Sequence, residues 1–234
     1  MYIPSLRSSP TYLCAIMVIL LGHISVFAST WNNPGTGSWA TASNWTGGVP
    51  CGVGASAIFQ CASANQLVTY PNFTVHTYGS LTIDDNNSFA IGQNNSDWVD
   101  WNNTGSTNIP ITVNASGFTS AHTITADLYF YDCIDFCINS GSLEYTGNVS
   151  DIGASYGWNK TGNGRLIIDV TALNYDGANT ISDGTVEIES TISLGDASFV
   201  SNTSVAAGST LAIDIPAGGT IKNETVPITG TGDA

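Results

Sequence analysis

Cations are almost missing from this sequence. Its 234 residues include 4 Lys and Arg against 18 Asp and Glu, a formal net charge of −14, and only 9% of residues are charged. Beyond residue 28 the cations are Lys160, Arg165 and Lys222. A surface of that sign repels phosphate backbones and anionic headgroups, which argues against nucleic acid as a partner. An active site that clamps phosphate or polyuronate needs clustered Arg and Lys, which the chain does not have. Also missing are a G-x-S-x-G nucleophile elbow, a zinc-type C-x-x-C, an EF-hand loop and a G-G-x-G-x-D calcium array. His76 and His122 stand at no ligand spacing, so no metal and no cofactor is expected. After residue 28 no apolar run is long enough to span a bilayer as a helix, and the scarcity of Lys and Glu speaks against long helices of any kind.

What is present begins with a leader. Met1 to Tyr12 carries Arg7, an apolar run follows from Leu13 to Leu21, and small residues close it at Ala28 and Ser29. The run is shorter than the ~20 residues of a membrane-spanning helix, so residues 1–28 read as a cleavable signal peptide. The remaining chain is long enough for one domain or one stretch of a repeat array, and a hydrophobic content of 42% is enough to build a core. Cys14 leaves with the leader. The other four cysteines fall into two local pairs, Cys51 with Cys61 and Cys133 with Cys137, and export favours disulfides for both. The second pair requires a turn near Asp135, because four residues of extended strand separate Cα atoms by ~13 Å, beyond the ~7 Å that a disulfide tolerates.

A small unit recurs: Gly79-Ser80-Leu81-Thr82-Ile83, Gly141-Ser142-Leu143-Glu144-Tyr145, Gly164-Arg165-Leu166-Ile167-Ile168, Gly184-Thr185-Val186-Glu187-Ile188 and Gly208-Ser209-Thr210-Leu211-Ala212-Ile213. Each is a turn glycine followed by alternating apolar positions, the period-2 signature of a strand. From Gly141 onward the glycines return every 20 to 24 residues, a length that fits one coil of a solenoid with three short strands. The expected architecture is therefore an all-β, right-handed parallel β-helix with an N-terminal cap over residues 29–75 and β-helical repeats over 76–234. Leu166, Ile168, Val186, Ile188, Leu211 and Ile213 are expected in its core. A β-sandwich is the alternative, since its strands come at similar intervals.

One stretch carries a family resemblance. Lys160-Thr161-Gly162-Asn163-Gly164-Arg165-Leu166-Ile167-Ile168, Asn174-Tyr175-Asp176-Gly177-Ala178-Asn179-Thr180, Asp183-Gly184-Thr185-Val186-Glu187-Ile188 and Leu194-Gly195 follow one another. This string resembles the autotransporter-associated β-strand repeat, K-x-G-x-G-x-L-x-L, N-x-Y-x-G-x-T, x-G-T-L-x-V, L-G, with its best copy over residues 160–195. The opening Trp31, Gly37-Ser38-Trp39, Asn44-Trp45, Gly48-Val49-Pro50 and Ala57-Ile58-Phe59 is similar to the start of such passengers. The resemblance implies a β-helical passenger exported through the periplasm of a Gram-negative-type bacterium and displayed at the outer membrane or released. No translocator barrel follows, so a truncated C-terminus, with a continuation into the missing barrel, is part of the expectation.

Chemistry-bearing groups are sparse. Asp84-Asp85, Asp97 with Asp100, Asp132 with Asp135, and Asp183 with Glu187 could be hydrolytic acid pairs across a polysaccharide groove, but most fall in turn-like segments where Asp serves the backbone. Trp39 and Trp45 are read as cap packing. Asp97-Trp98-Val99-Asp100-Trp101 is read as a turn-like insertion whose Trp98 and Trp101 could contact a ligand. The function expected is a non-catalytic, exported structural or adhesive protein meeting a host-cell surface or a glycan. The alternatives are a carbohydrate-binding or polysaccharide-cleaving β-helix and a remnant of a longer autotransporter.

Overall fold

The computed structural model describes residues 28–60, 62–70, 75–92, 98–103, 108–115, 120–151, 155–170, 173–195, 201–221 and 224–227. It is a β-solenoid of about seven turns, built almost entirely of parallel strands among the described residues. The strands gather in three sheets of ten, eight and five members, and successive strands of the chain visit the sheets in turn. One coil illustrates the rule: Ile134–Ser140 joins the ten-stranded sheet, Ser142–Tyr145 the eight-stranded sheet and Val149–Asp151 the five-stranded sheet. Each of these strands pairs in parallel with its counterpart one coil earlier. This connectivity excludes the β-sandwich, whose sheets are antiparallel. Among the described residues the antiparallel exception is Trp45–Thr46 against Ala28–Trp31. No described helix is long and apolar enough to cross a membrane.

Register turns the alternating sequence into columns. In the eight-stranded sheet, Leu143, Leu166, Val186 and Leu211 face one another across successive coils, as do Ile124, Tyr145, Ile168, Ile188 and Ile213. Leu166, Ile168, Val186 and Ile188 are buried as expected. The exceptions lie in the last of these strands, where Leu211 is only partly covered and Ile213 is 57% exposed. Both point into the column, but Thr210–Ile213 is the terminal strand of its sheet and no described strand packs beyond it.

The N-terminal end is closed by aromatic side chains. Trp39 is fully buried, its ring 4.8 Å from that of Trp45 and 4.9 Å from that of Tyr78. Indole hydrogen bonds fix the arrangement, Trp45 Nε1 to the Trp39 carbonyl at 2.7 Å and Trp39 Nε1 to the Pro50 carbonyl at 3.3 Å. At this end the ten- and eight-stranded sheets stop at two-residue strands, Trp45–Thr46 and Gly37–Ser38, too short to template further pairing, while the five-stranded sheet stops at Val75–Tyr78. The first complete coil runs through Ser56–Gln60, Gln66–Thr69 and Val75–Tyr78. Coiling therefore starts inside the segment assigned to the cap from sequence.

Three of the recurring glycines, Gly79, Gly164 and Gly184, mark places where coils touch backbone to backbone. Gly184 has φ +67°, and a Cβ there would collide with the carbonyl oxygens of Gly162 and Gly164 in the preceding coil. Gly208 has a similar φ of +85° but open space around it. Gly208→Ala is therefore expected to cost about 1–2 kcal/mol, the left-handed backbone penalty alone. Gly184→Ala should cost at least about 3 kcal/mol, because backbone must also move. Equal losses of thermal stability in the two variants would contradict the close stacking of coils.

One column contains a misfit. His122 lies between Phe89 and Leu143 and is fully buried. Its Nδ1 accepts a hydrogen bond from the Phe89 amide at 3.2 Å, while Nε2 is buried without a partner. Burial lowers its pKa from 6.5 to about 4, with the Asp85 carboxylate acting weakly the other way. Above pH 6.5 both folded and unfolded histidine are neutral and stability is intact. As pH falls towards 4 the unfolded chain takes up the proton first, so the protein loses up to about 3 kcal/mol. His122→Leu should flatten that part of the urea midpoint against pH, and an unchanged slope would rule His122 out as its source. Part of the slope should remain in the variant, because burial also lowers His76 to about 4, while the carboxyls of Asp100, Asp151 and Glu189, raised by burial, act with the opposite sign; the difference between parent and variant reports His122 alone.

Candidate ligand-binding face

The five-stranded sheet carries the most chemically distinctive surface. Its strands are Val75–Tyr78, Trp98–Trp101, Asp127–Phe130, Val149–Asp151 and Leu173–Asn174. Alternation sends Val99, Trp101, Leu128 and Phe130 inward, where all are buried. The residues between them align outward in register as Thr77, Asp100, Tyr129, Ser150 and Asn174. At the ~4.8 Å spacing of paired strands this column is ~19 Å long.

Its centre combines acid and phenol. Burial raises the pKa of the half-buried Asp100 carboxyl. Tyr131 follows the strand, and its amide donates to the Trp101 carbonyl at 3.0 Å, which holds it beside the coil of Asp100. The Tyr131 phenol is likewise raised, by burial first and then by the neighbouring Asp100 and Tyr129. Three polar tips thus cluster on one patch. Further along, the Asn174 amide donates to Ser150 Oγ at 3.3 Å, and Asp151 is raised by burial with Asp176 close by.

The residues singled out from sequence are placed differently. Trp101 is a correction: it is fully buried, its ring 4.6 Å from that of Tyr78, and cannot contact a ligand. The segment read as a turn-like insertion is a strand, in which Val99 and Trp101 share the inward parity and Asp100 takes the outward one. The Trp98 side chain and Asp97 lie outside the described residues. Missed altogether were Tyr129 and Tyr131. The alternation in Asp127-Leu128-Tyr129-Phe130, aligned to Trp98-Val99-Asp100-Trp101 at a coil offset of 29 residues, was the signal that could have found them.

The second cysteine pair is also corrected. Cys133 and Cys137 are free thiols, because Asp135 does not turn the chain but sits within the strand Ile134–Ser140. Extended backbone keeps the two sulfurs too far apart. Cys51 is disulfide-bonded, and Cys61 lies outside the described residues.

Most of the flagged carboxylates serve the fold. Asp85 accepts from the amides of Ala62 and Asn87, tying one coil to the next. Asp132 accepts from the Asn103 amide at 2.9 Å and Asp135 from the Asn108 side chain at 2.9 Å, both links to the preceding coil. Asp183 accepts from the Gly184 amide, and Glu187 pairs with Arg165. Among the described residues no three His, Cys, Asp or Glu side chains gather as a metal ion would require. No family model, no curated protein and no solved structure matches this chain.

Proposed function

We propose that the protein is an exported, non-catalytic β-solenoid acting as an adhesive or structural surface outside the cell, a passenger-like segment of the autotransporter type. The observation that carries this reading is the division of labour among its polar groups. Asp85, Asp132, Asp135, Asp183 and Glu187 are engaged in links within and between coils, whereas the column centred on Asp100 and Tyr129 faces outward. Residues 1–28 act as the leader into the periplasm of a Gram-negative-type cell, and Cys51 pairs with Cys61 there. Delivery onward to the outer membrane or the medium follows from the same resemblance.

Expression of the full chain in a Gram-negative host, followed by fractionation and N-terminal sequencing, tests export. A product starting at Ser29 outside the cytoplasm is expected, and a full-length cytoplasmic product would defeat it. Purified mature protein should then adhere to immobilised cells or extracellular matrix without depolymerising any polysaccharide. Hydrolysis abolished by Asp100→Asn would instead establish the polysaccharide-cleaving alternative.

A further inference from the structure

Resting on the adhesive reading, we infer that the outer face of the five-stranded sheet, centred on Asp100, Tyr129 and Tyr131, is a binding site for an uncharged polysaccharide lying along the solenoid axis. The first support is the state of the polar tips. Asp100 is half-buried, and neither its carboxylate nor the Tyr131 hydroxyl has a hydrogen-bond partner among the described residues. A partly desolvated acceptor that the fold leaves unsatisfied is set to take a donor from outside. Sugar hydroxyls are donors of that kind.

The second support is aromatic. Tyr129 stands outward and partly exposed in the middle of the column, with Tyr131 two residues further on. Tyrosine offers an apolar ring with a polar end and loses little entropy on contact. The C–H face of a pyranose can lie on such a ring while its edge hydroxyls reach Asp100, Ser150 and Asn174. A column of ~19 Å accommodates several sugar rings in succession, which favours a polymer over a monosaccharide.

The third support is charge, and it selects the ligand class. Asp100 brings a carboxylate to the centre of the patch, and no described cation offsets it. Lys160 is buried with its ammonium on backbone carbonyls, and Arg165 is paired with Glu187 on the eight-stranded sheet. An anionic glycan would be repelled. Recognition through hydroxyl donors and ring faces needs no ligand charge.

The test uses the mature chain from residue 29 in affinity electrophoresis and calorimetry against neutral glucans, mannan and xylan, anionic alginate and polygalacturonate, and cationic chitosan. Retention by at least one neutral polymer, little changed between low and high salt, is expected. Asp100→Asn and Tyr129→Ala should each weaken it about tenfold or more, with thermal unfolding within about 2 °C of the parent. Binding to chitosan alone, lost in salt, would show a merely electrostatic face and overturn the inference. So would neutral-glycan binding that both variants keep. If the parent adheres to cells but to no neutral polymer, this inference fails and the adhesive reading survives. If it adheres to nothing, the adhesive reading itself fails.

Discussion

Trp39→Ala is expected to lower the thermal midpoint by about 10 °C. The indole is fully buried and makes ring contacts with Trp45, Phe59, Tyr70 and Tyr78. Removing so large a side chain from a core costs about 3–5 kcal/mol, and in a domain of this size each kcal/mol shifts the midpoint by about 2–4 °C. The position matters beyond the lost volume. In a solenoid each coil is stabilised by its neighbours, and the first coil has the cap on one side only. Loss of Trp39 also leaves the Pro50 carbonyl without its indole donor. Scanning calorimetry should show a broadened transition as well as a lower one, since coils behind a damaged cap melt before the rest. A midpoint within about 2 °C of the parent would mean that the aromatic cluster is not what closes the stack.

Lys160→Ala is expected to lose a similar amount, for a different reason. Lys160 occupies an inward position between Phe136 and Ile181 in the ten-stranded sheet and is fully buried. Its stem fills the column while its ammonium donates to the carbonyls of Thr161 at 3.0 Å, Gly162 at 2.6 Å and Asp183 at 3.2 Å. The last carbonyl belongs to the next coil, so one side chain fastens two successive turns. Truncation removes a four-carbon stem, worth about 2–5 kcal/mol in a core, and leaves three carbonyls without their donor. Lys160→Met separates the two contributions by keeping the stem and should lose about half as much. If Met is as damaging as Ala, the ammonium carries the effect. If Met is neutral, the ammonium contributes nothing, and only the packing half of the argument holds.

That lysine also shows what the sequence could and could not disclose. Its place in the K-x-G-x-G string was legible, and so were the turn glycines and the strands that follow them, because alternation and glycine spacing are local. The role of the ammonium was not, since the Asp183 carbonyl it binds is 23 residues away and becomes a neighbour only when coils stack. Ile213 had the right parity for the core, but parity does not tell which strand is the last of its sheet. The Cys133 and Cys137 spacing was read through a turn at Asp135, yet the alternation of Ile134, Phe136 and Ile138 already favoured a continuous strand. Trp101 belongs to the core because it shares the parity of Val99, a signal that aromatic density and nearby Asn residues obscure. Asp100 reads in sequence only as half of an acid pair, and Tyr129 carries no local signal of its own. What makes them a face is register between coils, which a linear reading supplies only after the coil length is known.

The two ends of the stack differ, and the difference sets an order of events in time. At one end Trp39 and Trp45 are buried under short, blocked edges, whereas at the other Ile213 stands 57% exposed. When stability is a sum over adjacent coils, the coil with the weakest outer contact opens first and exposes the next to the same fate. Among the described residues, amide exchange should therefore be faster in the exposed strand Thr210–Ile213 than in the strands packed against the tryptophan cap. The patch at Asp100 and Tyr129 belongs to strands nearer the cap than that exposed strand. It keeps its shape while the far coils breathe.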